Sequence, residues 1–389
     1  MKGGEHMTNK IQIPKEIYLW AIKESKKDFD EIELKFKNIE AWISQEVHPT
    51  FRQVEELANF LKVPLGYMFL KNPPKTDIIQ SEFRTIGNKV PEISKELKDT
   101  LYNMGRKRDW LSEYRKEKGW DKLIPDELQD IKNKDIYNIS KAAKDYLKID
   151  EFWYKEYKSN KAAFDYLREK LEAAGITVMQ NGVVGSNNNR KLNINEFRGF
   201  LLYDEVAPII FINNNDSITG KVFTLIHEFI HFLMQEDDVF IEDDLEFESS
   251  NETKINKVTA EFLTPTSHIE KLWDESEPVI DQIEELSKLF HVSLIALAIK
   301  LKDMNKINQK YVNEVKEYTK DTWENSKVKT GGGGNYYYTS RSRFGDSFLS
   351  TVIQGAESGD ISYTHAFKLL DNSVKAYDYF KEEFVGYGT

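Results

Sequence analysis

Thr224-Leu225-Ile226-His227-Glu228-Phe229-Ile230-His231-Phe232-Leu233 decides the reading of this chain. Residues four apart share one face of a helix, so the imidazoles of His227 and His231 can reach a single cation. Glu228 is displaced by one residue. It sits beside that cation without being a ligand, where a general base for water belongs. Leu225, Ile226, Phe229, Ile230 and Phe232 bury the remaining faces of the helix and dry the site. The chain has no cysteine, which excludes a disulfide framework and thiolate metal sites. A metal here is therefore held by His, Asp or Glu, and imidazole plus carboxylate ligands with one open position suit zinc. The bland alternative, a pair of surface histidines on an ordinary helix, does not account for the apolar flanks.

Such a site needs a third protein ligand. The stretch that follows offers Asp237, Asp238, Glu242, Asp243, Asp244, Glu246, Glu248 and Glu252. Most of these read as a solvated acidic loop, and the loop from Asp237 to Glu248 is also placed to cover the site and hold it latent. Glu252 differs because it begins the next helix. Asn256 follows one turn later, where it could orient a ligand, and Ala260 and Leu263 turn toward a core. Glu248 or an aspartate of the loop is the rival third ligand.

The surrounding pattern predicts a small sheet in front of the motif helix. Ala162 to Ala174 reads as a helix ended by Gly175. Ile176–Met179, Phe200–Tyr203 and Ile209–Ile212 read as strands, and Asn213–Asp216 as a loop. Beyond the motif, a helix from Glu252 to Leu263 stops at Pro265, and Ser287 to Leu301 reads as one further apolar helix.

Gly220-Lys221-Val222-Phe223-Thr224-Leu225-Ile226-His227-Glu228-Phe229-Ile230-His231 resembles the signature of the ImmA/IrrE family of metallopeptidases. So does Glu252-Thr253-Lys254-Ile255-Asn256-Lys257-Val258-Thr259-Ala260-Glu261-Phe262-Leu263-Thr264-Pro265, which departs from the family pattern at Ile255 and Val258. Asn213, after an apolar strand, matches a recurrent family position. The resemblance covers roughly residues 161–301. It implies Zn2+ held by His227, His231 and Glu252, with Glu228 taking a proton from water and passing it to the leaving amine. It also implies a protein substrate that is a transcriptional regulator of a mobile element or a stress response. His268, just after the second helix, and Tyr203 are candidate transition-state stabilisers, each with a surface or packing role as its plainer reading.

The N-terminal stretch is all-helical by pattern. Thr50 is a good N-cap with Gln53 at its N3 position, and Val54, Leu57, Ala58 and Leu61 recur at helical spacing. Trp42, Pro49-Thr50, Gln53, Leu57-Ala58, Val63-Pro64 and Glu82-Phe83-Arg84-Thr85 resemble the XRE-like helix-turn-helix domain often fused to this peptidase. Between Ser25 and Trp42, however, Asp28, Asp30, Glu31, Glu33 and Glu40 stand where a DNA reader carries Lys, Arg, Asn or Gln. Packing or protein contact is the favoured use of this unit, and DNA binding is the rival.

The remaining numbers set the frame. A chain of 389 residues is long enough for several cores, and its net charge of −11 excludes nucleic-acid binding through a global positive field. No apolar run approaches the roughly 20 residues that span a bilayer, and Met1–Lys10 has no signal-peptide logic, so a cytoplasmic location is expected. Met7 is the expected start, with Met1–His6 as read-through. His48, His291 and His365 read as turn or packing residues. Tyr336-Tyr337-Tyr338 beside Arg341 and Arg343 reads as a pin for the glycine joint of residues 330–335, with stacking on a nucleic acid or peptide as the rival.

The expected fold class is α+β. Its parts are a helix-turn-helix-like domain at 8–74, a helical connector at 75–160, a zincin-like metallopeptidase domain at 161–310, and a Gly-linked helical region at 311–389. The expected function is a zinc-dependent endopeptidase acting on one regulatory protein. The alternative is a DNA- or protein-binding, antitoxin-like regulator whose metal site is vestigial or structural.

Overall fold

The computed structural model describes residues 10–25, 27–61, 63, 65–73, 93–235, 250–326, 336–371 and 374–385. The start at Met1 or Met7, Glu82-Phe83-Arg84-Thr85, the acidic loop with Glu248, and the glycine joint lie outside the described residues. The chain divides into two compact units, residues 1–78 and 79–389.

The first unit is helical: α1 (Lys15–Ser25), α2 (Phe29–Lys35), α3 (Ile39–Ile43), α4 (Phe51–Leu61) and a 3-10 turn, Leu65–Phe69. The capping box at the head of α4 is present. Gln53 Oε1 accepts from Thr50 N at 2.9 Å, and Thr50 Oγ1 accepts from Gln53 N at 3.4 Å. Val54, Leu57, Ala58 and Leu61 are buried against Ile17, Ala21, Ile32 and Trp42, as the helical spacing predicts. Asp28, Asp30, Glu31, Glu33 and Glu40 are all exposed.

The second unit is mixed α and β. Its connecting helices are α5 (Lys95–Glu117), α6 (Ile136–Leu147) and α7 (Asn160–Ala173). The strands are β1 (Thr177–Asn181), β2 (Val183–Val184), β3 (Asn187–Lys191), β4 (Gly199–Leu202) and β5 (Ile209–Asn213). β5 lies in the middle of a three-stranded sheet, parallel to β1 and antiparallel to β4. β2 and β3 form a separate hairpin. Asn187-Asn188-Asn189 carries no apolar alternation, so a hydrophobic-pattern reading misses this hairpin.

Every residue of β4 and β5 is buried, which explains their unbroken apolar runs. Val178, Leu201, Ile210 and Ile212 face a core shared with α7 and with α8 (Ile218–Met234). Met179, Phe200, Leu202, Ile209 and Phe211 face a second core that includes α5 residues Leu97, Leu101, Met104 and Leu111. The C-terminal helices α14 (Tyr336–Phe344), α15 (Asp346–Glu357), α16 (Tyr363–Leu369) and α17 (Val374–Val385) supply the rest of that second core through Phe344, Phe348, Val352, Leu369 and Tyr377. Helix α5, in the stretch read as a connector, and the helices read as a tail thus share one core on the same face of the sheet. Lys107 on α5, almost fully buried, is tied to Asp371 at 2.8 Å and to Asn103.

Between α8 and α14 lie α9 (Ser250–Leu263), α10 (Thr266–Leu272), α11 (Val279–Phe290), α12 (Leu294–Asp303) and α13 (Gln309–Ser326). The single helix expected over 287–301 is two helices. His291 takes a left-handed conformation with φ 60°, and Ser293 caps a new helix by accepting from Ala296 N.

Candidate metal centre

The motif helix α8 starts at a local device. Ser217 caps it by accepting from Gly220 N at 3.0 Å. A Cβ at position 220 would press on the Asp216 carboxylate, which also pairs with Arg198. Val222, Leu225, Ile226, Phe229, Ile230, Phe232 and Leu233 are fully buried, so the helix crosses the middle of the unit. A second glycine brings it close to the sheet. A Cβ on Gly199 of β4 would lie 2.5 Å from Thr224 Cγ2 and 2.8 Å from the Phe211 carbonyl oxygen.

The remaining strip of α8 carries the motif. His227 Nε2 and His231 Nε2 lie 3.1 Å apart, with the Phe223 ring stacked on His227. Glu252, in the first turn of α9, joins them. Its Oε1 is 3.0 Å from His227 Nε2, and its Oε2 is 3.4 Å from His231 Nε2. Burial pushes the Glu252 carboxyl up. The hydrogen bonds and charge of the two histidines outweigh that and hold it at about 2.

These separations can be tested against a cation. Ligand atoms at the 2.0–2.1 Å zinc bond length, arranged tetrahedrally, are about 3.3 Å from one another. The two nitrogens are 3.1 Å apart, and they sit 3.0 and 3.4 Å from the two different oxygens of the Glu252 carboxylate, so two imidazoles and a carboxylate are brought close enough together to hold a divalent ion. Among the described residues, His227, His231 and Glu252 form a group able to hold a metal.

Glu228 is buried beside this group. Its carboxyl is raised above the usual range, first by burial and also by the nearby Glu252 carboxylate. His227, His231 and the Leu201 backbone amide of β4 pull the other way.

The other sequence-derived candidates stand as follows. Asn256 is half-buried on α9 and makes no hydrogen bond to Glu252 or to either histidine. His268 is buried, with Nδ1 2.9 Å from the Tyr154 hydroxyl and Nε2 2.9 Å from Glu151 Oε1. Phe152 stacks on its ring, so both nitrogens and one face are engaged by these residues. Tyr203 is half-buried at the end of β4, its ring 5.9 Å from Phe232. His291 packs, as expected, against Asn160 and the Tyr154 carbonyl.

Two local features escaped the sequence reading. Gly199 stands at the head of an apolar run, and that position was a usable signal for close approach. Lys254 reaches backbone carbonyls, which no side-chain pattern reveals.

No curated protein and no solved structure matches the chain. Residues 171–302 match the peptidase family model described as the IrrE N-terminal-like domain. That match supports a metallopeptidase of the ImmA/IrrE type for the segment containing His227, Glu228, His231 and Glu252.

Proposed function

We propose that this chain is a zinc-dependent endopeptidase that cleaves one specific regulatory protein, repressor-like, in a mobile-element or stress-response system. The observation that supports it most is the convergence of two imidazoles from α8 and one carboxylate from α9, with one donor atom of each within 4.8 Å of the others. Zinc bound there supplies Lewis acidity toward water and the scissile carbonyl.

Every other step falls to the chain. His227, His231 and Glu252 hold and orient the ion. Glu228 accepts a proton from water on its carboxylate and delivers it to the leaving amine nitrogen. Its raised pKa suits both halves of that shuttle, because efficient proton transfer needs a group poised nearer the working pH. The Phe223 ring, stacked on His227, limits water beside the site, which strengthens the electrostatics there.

The N-terminal unit is read as a helix-turn-helix-like module for protein contact. The exposed carboxylates of Asp28, Asp30, Glu31, Glu33 and Glu40 support that use over DNA binding. No helix among the described residues is long and apolar enough to cross a membrane, in line with a proposed cytoplasmic location.

The test is elemental analysis of the purified chain beside His227→Ala and Glu252→Ala. About one zinc per wild-type chain, lost in both variants, is expected. A wild type that takes up no metal when zinc is supplied would overturn the reading in favour of a binding-only regulator.

A further inference from the structure

We infer that Lys254 is a positioning residue for the metal centre, holding the first turn of α9 so that Glu252 meets the two histidines. The inference rests on the zinc reading above. Glu252 lies in the opening turn of its helix, which starts at Ser250. The opening turn is the weakest part of a helix, since its amides lack intrahelical acceptors and it frays. The body of α9 is fixed by Ile255, Val258 and Phe262, all fully buried. Those contacts begin only after the ligand position.

Lys254 secures the turn from behind. At about 100° per residue, a side chain two positions on points roughly opposite to Glu252. Its Nζ donates to the Lys132 carbonyl at 2.7 Å and to the Lys134 carbonyl at 2.8 Å. Those acceptors are well anchored. They flank the C-terminal end of a 3-10 turn, Ile131–Asn133, in which Ile131 is buried in the main core. The next residue, Asp135, caps α6 by accepting from Asn138 N at 2.9 Å. Two charge-assisted bonds to one rigid turn fix both the height and the rotation of the helix start. The partners are neutral carbonyls, so the ammonium serves as a clamp rather than as half of an ion pair. A lysine reaches both acceptors, and a methionine of similar length reaches neither.

The experiment measures zinc affinity by chelator competition on the full chain, together with the visible spectrum of the cobalt-loaded protein. Lys254→Met is expected to weaken zinc binding about 10-fold to 100-fold, the range seen when groups supporting a ligand are removed. The cobalt bands should shift, the circular dichroism should not change, and Lys254→Arg should restore most of the affinity. Unchanged affinity in Lys254→Met, or a loss that Lys254→Arg leaves unrestored, overturns the inference. Should Lys254→Met fold poorly, Lys254→Gln, which keeps a donor on a shorter stem, is measured in its place under the same criteria. Failure of the zinc reading looks different, because the wild type itself then binds no zinc.

Discussion

Gly199 on β4 and Thr224 on α8 approach so closely that a Cβ on the glycine would stand 2.5 Å from Thr224 Cγ2. Thr224 lies one turn before Glu228 on the same helix face, so this contact sets how near the motif comes to the sheet. Gly199→Ala is expected to cost about 1–3 kcal/mol, the usual range for overpacking, and to weaken zinc binding as well. Adding Thr224→Ser should recover only part of the loss, because the Phe211 carbonyl oxygen at 2.8 Å is backbone and cannot retreat. Urea unfolding of the three proteins checks this. A stable alanine variant would mean that α8 tolerates a shifted seat.

Glu228 is expected to be separable from the ligands. Glu228→Gln keeps shape and hydrogen-bonding capacity but cannot hold the transferred proton. Zinc content should therefore stay at the wild-type level while peptide hydrolysis falls about 10²-fold to 10⁴-fold. Hydrolysis at the wild-type rate would remove Glu228 from the chemistry.

Lys144 on α6 predicts a pH dependence of stability. Burial pulls its ammonium down from 10.5 to about 8, and Glu261 and Glu151 only partly oppose this. Between about pH 8 and 10.5 the unfolded chain holds this proton and the folded chain does not. Stability from this group thus rises with pH across that window, and the full cost is present below it. Lys144→Met should be more stable than wild type at pH 7 by about 1–2 kcal/mol, less than the raw shift implies because the side chain is partly exposed. The advantage should vanish toward pH 10.5, and denaturant unfolding at pH 7 and pH 10 measures both ends. A constant difference would assign the effect to packing, including the Phe262 ring 5.5 Å from the Lys144 Nζ.

Lys107 and Asp371 join α5 to the C-terminal helices across 2.8 Å, with the lysine almost wholly buried. Removing one partner leaves a buried charge, so Asp371→Asn is expected to destabilise the sheet unit by about 3 kcal/mol. Lys107→Met combined with Asp371→Asn should return much of that, since the buried ammonium is then gone and no charge is left to desolvate. Thermal melts of the single and double variants decide the matter. Additive losses would show that the pair is not coupled.

Local features are legible in the order of the residues. The four-residue spacing of His227 and His231 places both imidazoles on one helix face before any tertiary contact forms. The capping box at Thr50 and Gln53, the unbroken apolar runs of β4 and β5, and the strand–loop–helix order around Asn213 are likewise readable from neighbours in the chain. Tertiary structure decided what depends on distance. That Glu252 meets both histidines follows from how α9 packs beside α8, and its resemblance to a family motif stood in for that geometry in the sequence. The engagement of His268 by Tyr154 and Glu151 needs residues more than a hundred positions away, so no periodicity could reveal it. The same holds for the far face of the sheet. Amphipathic helices at 95–117 and 336–385 announce that they bury an apolar side, but the hydrophobic effect has no direction, and only the assembled sheet says what they cover.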